Sequence, residues 1–236
     1  MYKPFEFKKF SVSDDRCAMK TGTDGVLLGA AVQIGQAENI LDIGTGSGLI
    51  ALILAQRCNA RIDAVELDKD SAEQAAENFN NSQWSNRLSS INDSVQNYAS
   101  VCKKKYDLIV CNPPFFSNSL KSPVNKNKNR AKHNDELPYE ELLGSSAKLL
   151  NENAGLWLII PDEESFLMVS YALEAGLFLN YELNIIPKEG KITNRKILKF
   201  SKTQTNTEIE TLTIRKADSE FTTEYIELTK DFYLNF

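Results

Sequence analysis

Residues 41–49 read LDIGTGSGL. The run that leads into them, NILDIG, is short, apolar and β-forming, which predicts a strand. The run that leaves them, SGLIALILAQRC, predicts a helix. Gly44, Gly46 and Gly48 stand at the junction. Glycines there let the backbone turn tightly and approach a ligand closely, and the helix N-terminus behind them favours negative charge. A dinucleotide fingerprint requires G-x-G-x-x-G; here the third glycine, Gly48, comes one residue early and position 49 is Leu. A tight turn with no ligand is the alternative reading of the glycines alone.

The alternation continues outward. RIDAVELD is a strand, KDSAEQAAENFNNS a helix, LSSIN a weak strand and YDLIVC a strand. ELPYEELLGSSAKLL is a helix, AGLWLIIP a strand and EESFLMVSYALEAG a helix. Strand–helix alternation at this spacing gives an α/β fold, a mostly parallel doubly wound sheet with helices on both faces. Then YELNIIP, RKILKFS and TEIETLTIR follow without a helix between them and are expected to form an antiparallel edge. TTEYIELTKDFYLNF places Tyr225, Leu228 and Phe232 on one helical face. Upstream, Thr23-Asp24 in GTDGVLLGAAVQIG is expected to cap a helix. No linker or repeat divides the chain, so one domain over 1–236 is expected, a lead-in segment and helix over 1–35 and the core over 36–236.

The composition, 42% hydrophobic and 25% charged over 236 residues, is that of a globular protein able to bury a core. The longest apolar run, Leu49–Ala55, falls far short of the roughly 18 residues a membrane span needs. MYKPFEFKKF has no apolar stretch of signal-peptide type, and a cytoplasmic location is expected. Cys17, Cys58, Cys102 and Cys111 show no C-x-x-C spacing and read as reduced thiols, not bridges or zinc ligands. His133 is the only histidine, which excludes a multi-histidine metal site, and no metal is expected. The net charge of −5 argues against indiscriminate attraction to polyanions. One segment runs against it: KSPVNKNKNRAKHN carries Lys121, Lys126, Lys128, Arg130 and Lys132 with no acidic residue, either an RNA-facing surface or a solvated loop.

After YDLIVC comes Asn112-Pro113-Pro114-Phe115. Neither proline can donate to a ladder, so the strand stops there in a rigid turn, with an amide on one side and a ring on the other. Taken alone, this is also a plain strand terminator beside a buried aromatic. Glu66, twenty residues beyond Gly46 at the end of the second core strand, is placed to accept both hydroxyls of a ribose, a device that NAD sites share.

Asp42 before G-x-G-x-G resembles the first motif of class I S-adenosylmethionine-dependent methyltransferases, and NPPF resembles the motif of those that methylate a nitrogen conjugated to a planar system. The resemblance implies that Asn112 and the Pro113 carbonyl accept the two N–H of an exocyclic amine, that Phe115 stacks on its base, and that Pro114 stiffens the turn. It implies a cofactor site of Asp42, Gly44, Gly46, Gly48, Glu66 and Leu67. Asp93 and Ser94 would lie near the adenine, although Asp93 alone reads equally as a helix cap. The cofactor is then S-adenosylmethionine, released as S-adenosylhomocysteine.

Enzymes with NPP[FYW] act on adenine N6, cytosine N4, guanine N2 in ribosomal RNA, or glutamine side chains. About forty residues precede the first motif, which leaves no room for a separate helical domain. MKTGTDGVLLGA, NPPFF followed by NRAKHNDELPYEEL, and the terminal YIELTKDFYLNF together resemble the bacterial tRNA1(Val) adenine-37 N6-methyltransferase family over nearly the whole chain. In that family Thr23 and Asp24 would lie by the methionine end of the cofactor. A tRNA substrate, with its base flipped out, and no obligate protein partner are therefore expected. A guanine-N2 or glutamine methyltransferase is the alternative, and a non-catalytic RNA-binding module a more distant one.

Overall fold

The computed structural model describes residues 2–114 and 137–236. A two-stranded antiparallel hairpin, β1 (Phe5–Glu6) and β2 (Ser11–Val12), precedes helix α1 (Thr23–Ala31). The core then alternates: β3 (Asn39–Ile43), α2 (Leu49–Arg57), β4 (Arg61–Glu66), α3 (Lys69–Asn80), β5 (Leu88–Asn92), α4 (Val95–Val101) and β6 (Tyr106–Cys111). Next come α5 (Tyr139–Leu149), β7 (Leu150–Pro161), α6 (Ser165–Glu174), β8 (Phe178–Ile186), β9 (Arg195–Ser201), β10 (Glu208–Thr213) and α7 (Thr223–Thr229).

Eight strands form one sheet in the order β10-β8-β9-β7-β6-β3-β4-β5. β3 pairs in parallel with both β4 and β6, so the chain reverses its winding direction there. Ile43 at the end of β3 lies beside Val65 of β4 and Cys111 of β6, and Glu66 lies beside Asn92 of β5. One residue further on, Gly44, Asn112 and Asp93 leave the sheet along the same edge as Glu66. This is the switch point where open parallel sheets bind ligands.

The antiparallel character resides in β9, which runs against both β7 and β8; β10 runs parallel to β8 on its outer side. The link from β9 to β10 therefore hops over the start of β8. Asn180 of β8 secures the hop by donating to the Thr203 carbonyl (3.0 Å) and to Thr205 Oγ1 (2.7 Å).

Successive strand residues face opposite helical layers. Ile40, Leu108, Val110, Trp157 and Ile159 pack in the layer that contains α1 and α2, while Leu41, Ile43, Ile109, Leu156, Leu158 and Ile160 pack in the layer that contains α5 and α6. Each of these large side chains is almost wholly buried, which contributes about 1.5–3 kcal/mol apiece. Glycines bring α1 onto α2: a Cβ at Gly29 would lie 2.8 Å from Ile53, and one at Gly25 would lie 2.9 Å from Leu49.

Two local expectations are corrected. Gly22, not Thr23 or Asp24, occupies the N-cap of α1, and it makes no side-chain cap. Thr23 and Asp24 stand in the first turn, where Asp24 pairs with Arg195 at 2.9 Å. Ser94, not Asp93, caps α4 by accepting the Asn97 N–H. No described helix is long and apolar enough to cross a membrane.

Candidate active site

The cleft at the switch point has a volume of about 1030 Å³. Its floor is the first turn. Gly44, Gly46 and Gly48 have φ of 66°, 54° and 82°, in the left-handed region that costs other residues strain. A Cβ on Gly44 or Gly46 would meet nothing within 4 Å, so the turn leaves open space above the backbone. A Cβ on Gly48 would collide with the Phe79 ring. The first two glycines thus keep a cradle open, and the third lets α3 pack against the turn.

Glu66 fixes the cradle's shape. Its Oε2 accepts the Gly46 N–H and its Oε1 accepts the Asp68 N–H, each at 2.9 Å. A carboxylate has about four lone-pair sites, so both oxygens keep one for a vicinal diol. Leu67 follows, 57% exposed on the cleft wall, an apolar surface suited to a flat ring. Asp93 takes the Ser94 N–H at 2.8 Å and the Asn97 amide at 2.8 and 3.0 Å, and both Asp93 and Ser94 line the same cleft.

Asp42 lies beneath the cradle and does not line it. It is fully buried, and its Oδ2 accepts the Thr45 hydroxyl at 2.6 Å. Burial outweighs the hydrogen bonding from Thr45 and the Ala51 backbone, and with the nearby Glu66 charge it pushes the carboxyl up to about 7.

The opposite wall is the lead-in segment, including Cys17, Met19, Lys20 and Thr21 as well as Thr23 and Asp24. Local hydrogen bonds stitch it together. Asp14 Oδ2 accepts the Thr21 N–H at 2.7 Å and its Oδ1 accepts the Tyr2 hydroxyl at 2.7 Å. Lys20 Nζ donates to the Asp14 and Cys17 carbonyls at 2.6 and 3.0 Å. Asn78 of α3 ties this wall to the floor, donating to the Ser13 carbonyl at 2.7 Å and the Ser47 carbonyl at 2.8 Å.

Asn112, Pro113 and Pro114 close the cleft at the end of β6. Asn112 Oδ1 is shielded from solvent and has no hydrogen-bond partner among the described residues, while Nδ2 donates to Met19 Sδ at 3.7 Å. A buried carbonyl oxygen without a donor costs free energy unless a ligand supplies one. Thr21 Oγ1, also on the cleft wall, likewise has no partner among the described residues. Phe115 and the cations Lys121, Lys126, Lys128, Arg130 and Lys132 lie outside the described residues.

Residues 19–175 match the model of the methyltransferase small domain family. The chain belongs to the methyltransferase small domain family. This methyltransferase is similar over 98% of its length to two curated proteins named tRNA1(Val) (adenine(37)-N6)-methyltransferase. It is 46% identical to that of Trichodesmium erythraeum, covering 98% of that protein, and 46% identical to that of Phocaeicola vulgatus, covering 97%. The resemblance read from MKTGTDGVLLGA, NPPFF and YIELTKDFYLNF is borne out. A predicted O-methyltransferase of Agrobacterium tumefaciens shares the class I methyltransferase fold at a TM-score of 0.71 and 17% identity, over 89% of this chain and 96% of that one.

The sequence reading missed Met19, Thr21 and Cys17 as wall residues. Met19 and Thr21 sit within MKTGTDG, but nothing in spacing or type indicated which side chains would turn inward.

Proposed function

We propose that this methyltransferase transfers the methyl group of S-adenosylmethionine to N6 of an adenine in tRNA, at position 37 of tRNA1(Val), acting as a single domain. The observation that carries this reading is the unpartnered Asn112 Oδ1 on the same cleft as the open Gly44–Gly46 cradle and the Glu66 carboxylate. The names of the curated relatives support the substrate.

The cradle, the carboxylate and the apolar Leu67 fit the bound cofactor. Glu66 would accept its ribose hydroxyls, Leu67 and Asp93 would hold its adenine, and Thr23 and Asp24 would lie toward its methionine end. When bound, it supplies an electrophilic methyl group on a sulfonium. The protein's task is then to present the nucleophile. An exocyclic amine is a poor one, because its lone pair is delocalised into the ring. Asn112 Oδ1 and the Pro113 carbonyl would each accept one N–H, leaving the lone pair free to take the methyl while one N–H proton is released to solvent, which is catalysis by positioning and electrostatics. Pro113 and Pro114 keep those two acceptors in fixed relation. Phe115 would stack on the extruded base, and the Lys121–Lys132 cations would meet phosphates around it. A tRNA substrate places this work in the cytoplasm.

Incubation with unmodified total tRNA and methyl-labelled S-adenosylmethionine, followed by nucleoside analysis, tests the reading. N6-methyladenosine is the expected product. Label absent from tRNA but recovered as N2-methylguanosine in a parallel incubation with ribosomal RNA, or in one with cell protein, would assign the same fold and cofactor to a different acceptor.

A further inference from the structure

We propose that Met19 is a positioning residue for methyl transfer, its thioether holding the Asn112 amide with the carbonyl turned toward the amine. The proposal rests on the role of Asn112 given above. Asn112 Nδ2 donates to Met19 Sδ at 3.7 Å, and the two residues are 93 positions apart in the chain. Asn112 Oδ1, at the other end of the amide, has no partner among the described residues.

A primary amide is two-ended, with donors at one end and an acceptor at the other. Which end faces the substrate decides the chemistry. The carbonyl accepts an N–H of the amine and leaves its lone pair free. A flipped amide would donate into that lone pair and engage the electrons that must attack the methyl group. The free amide has little intrinsic preference between the two orientations, so something must tie down the NH₂ end, and Met19 does so.

Two features argue against simple packing. Met19 is 49% exposed, so little of its contribution is burial. It also stands on a segment whose backbone is fixed on both sides by Asp14 and Lys20. A thioether is a weak, polarisable acceptor, sufficient to orient the amide without drawing Asn112 away from its substrate.

The test compares Met19→Leu and Met19→Gln with the wild-type protein, measuring kcat and KM for tRNA and cofactor. Leu keeps the apolar volume and removes the acceptor; Gln does the reverse. For Met19→Leu the expected result is a fall in kcat of roughly three- to tenfold, with both KM values and the melting temperature unchanged. Met19→Gln should recover part of that loss, because Oε1 can accept the same N–H in one of the two orientations of the Gln amide. A purely structural role predicts the opposite order. The proposal is overturned if Met19→Leu keeps the wild-type kcat, if both variants fall equally, or if only KM moves. A wild-type protein that methylates no adenine would instead overturn the reading of Asn112, and this proposal with it.

Discussion

Glu66 and Gly46 are joined across the first turn: the carboxylate at the end of β4 accepts the glycine's N–H at 2.9 Å. The contact lets one side chain set the shape of the cradle and, in the function proposed above, accept the hydroxyls of a ribose. Glu66→Gln replaces one acceptor oxygen by a donor that opposes the N–H of either Gly46 or Asp68. Affinity for S-adenosylmethionine should fall roughly 10- to 100-fold, the loss of one or two charge-assisted hydrogen bonds. Calorimetric titration reads it directly, and unchanged affinity would remove Glu66 from the site.

The glycines of the first turn should separate stability from binding. Gly48→Ala forces a Cβ into the Phe79 ring at φ 82° and should destabilise the fold by about 2–5 kcal/mol. Gly46→Ala has open space above it and should cost only about 1–2 kcal/mol of backbone strain. Cofactor binding should nevertheless suffer in Gly46→Ala, since its methyl group enters the cradle. Thermal melts paired with cofactor titrations check both, and a Gly46→Ala protein that binds like wild type would contradict the cradle.

Asp42 should make stability depend on pH in an unusual direction. Its carboxyl is pushed up to about 7 in the fold, against about 3.9 in an unfolded chain. Between those values the folded state retains a proton that the unfolded state has released. Its contribution is therefore fully present below about pH 4, is lost as pH rises to about 7, and is flat above that. The loss is on the order of 4 kcal/mol. Asp42→Asn removes this slope, so the stability of the wild type relative to Asp42→Asn should fall as pH rises through that window. Parallel pH profiles would show that Asp42 titrates normally.

Neutralising Lys126, Lys128 and Arg130 should weaken tRNA binding and lower the slope of log affinity against log salt by roughly 2–3. Binding isotherms at several salt concentrations measure it. An unchanged slope would remove these cations from tRNA binding.

The parallel core was legible because its strands are buried on both faces and its helices alternate with them at regular spacing. LDIGTGSGL and the NPP turn were legible because turns need residue types with special backbone properties, and Glu66 was located by its spacing of twenty residues from Gly46. Helix α4 was not read: it has seven residues, and Val95 is its only buried one. The cap of α1 was misplaced because Thr23 and Asp24 are good capping residues, yet Asp24 is instead drawn into the ion pair with Arg195, 171 residues away. The parallel pairing of β10 depends on the hop secured by Asn180, a long-range contact without a local pattern. Met19 escaped for the same reason: its partner lies 93 residues along the chain.

The central claim is that Asn112 presents an adenine amine at position 37 to the cofactor's methyl group. Asn112→Ala should reduce kcat by about 10²–10³ while leaving cofactor affinity within about twofold. The most direct measurement is single-turnover methyl transfer to two unmodified tRNA1(Val) transcripts that differ only in adenine or guanine at position 37. The account predicts one methyl group per molecule of the adenine transcript, recovered as N6-methyladenosine, and none on the other. Equal labelling of both transcripts, or labelled adenine that survives Asn112→Ala, would contradict it.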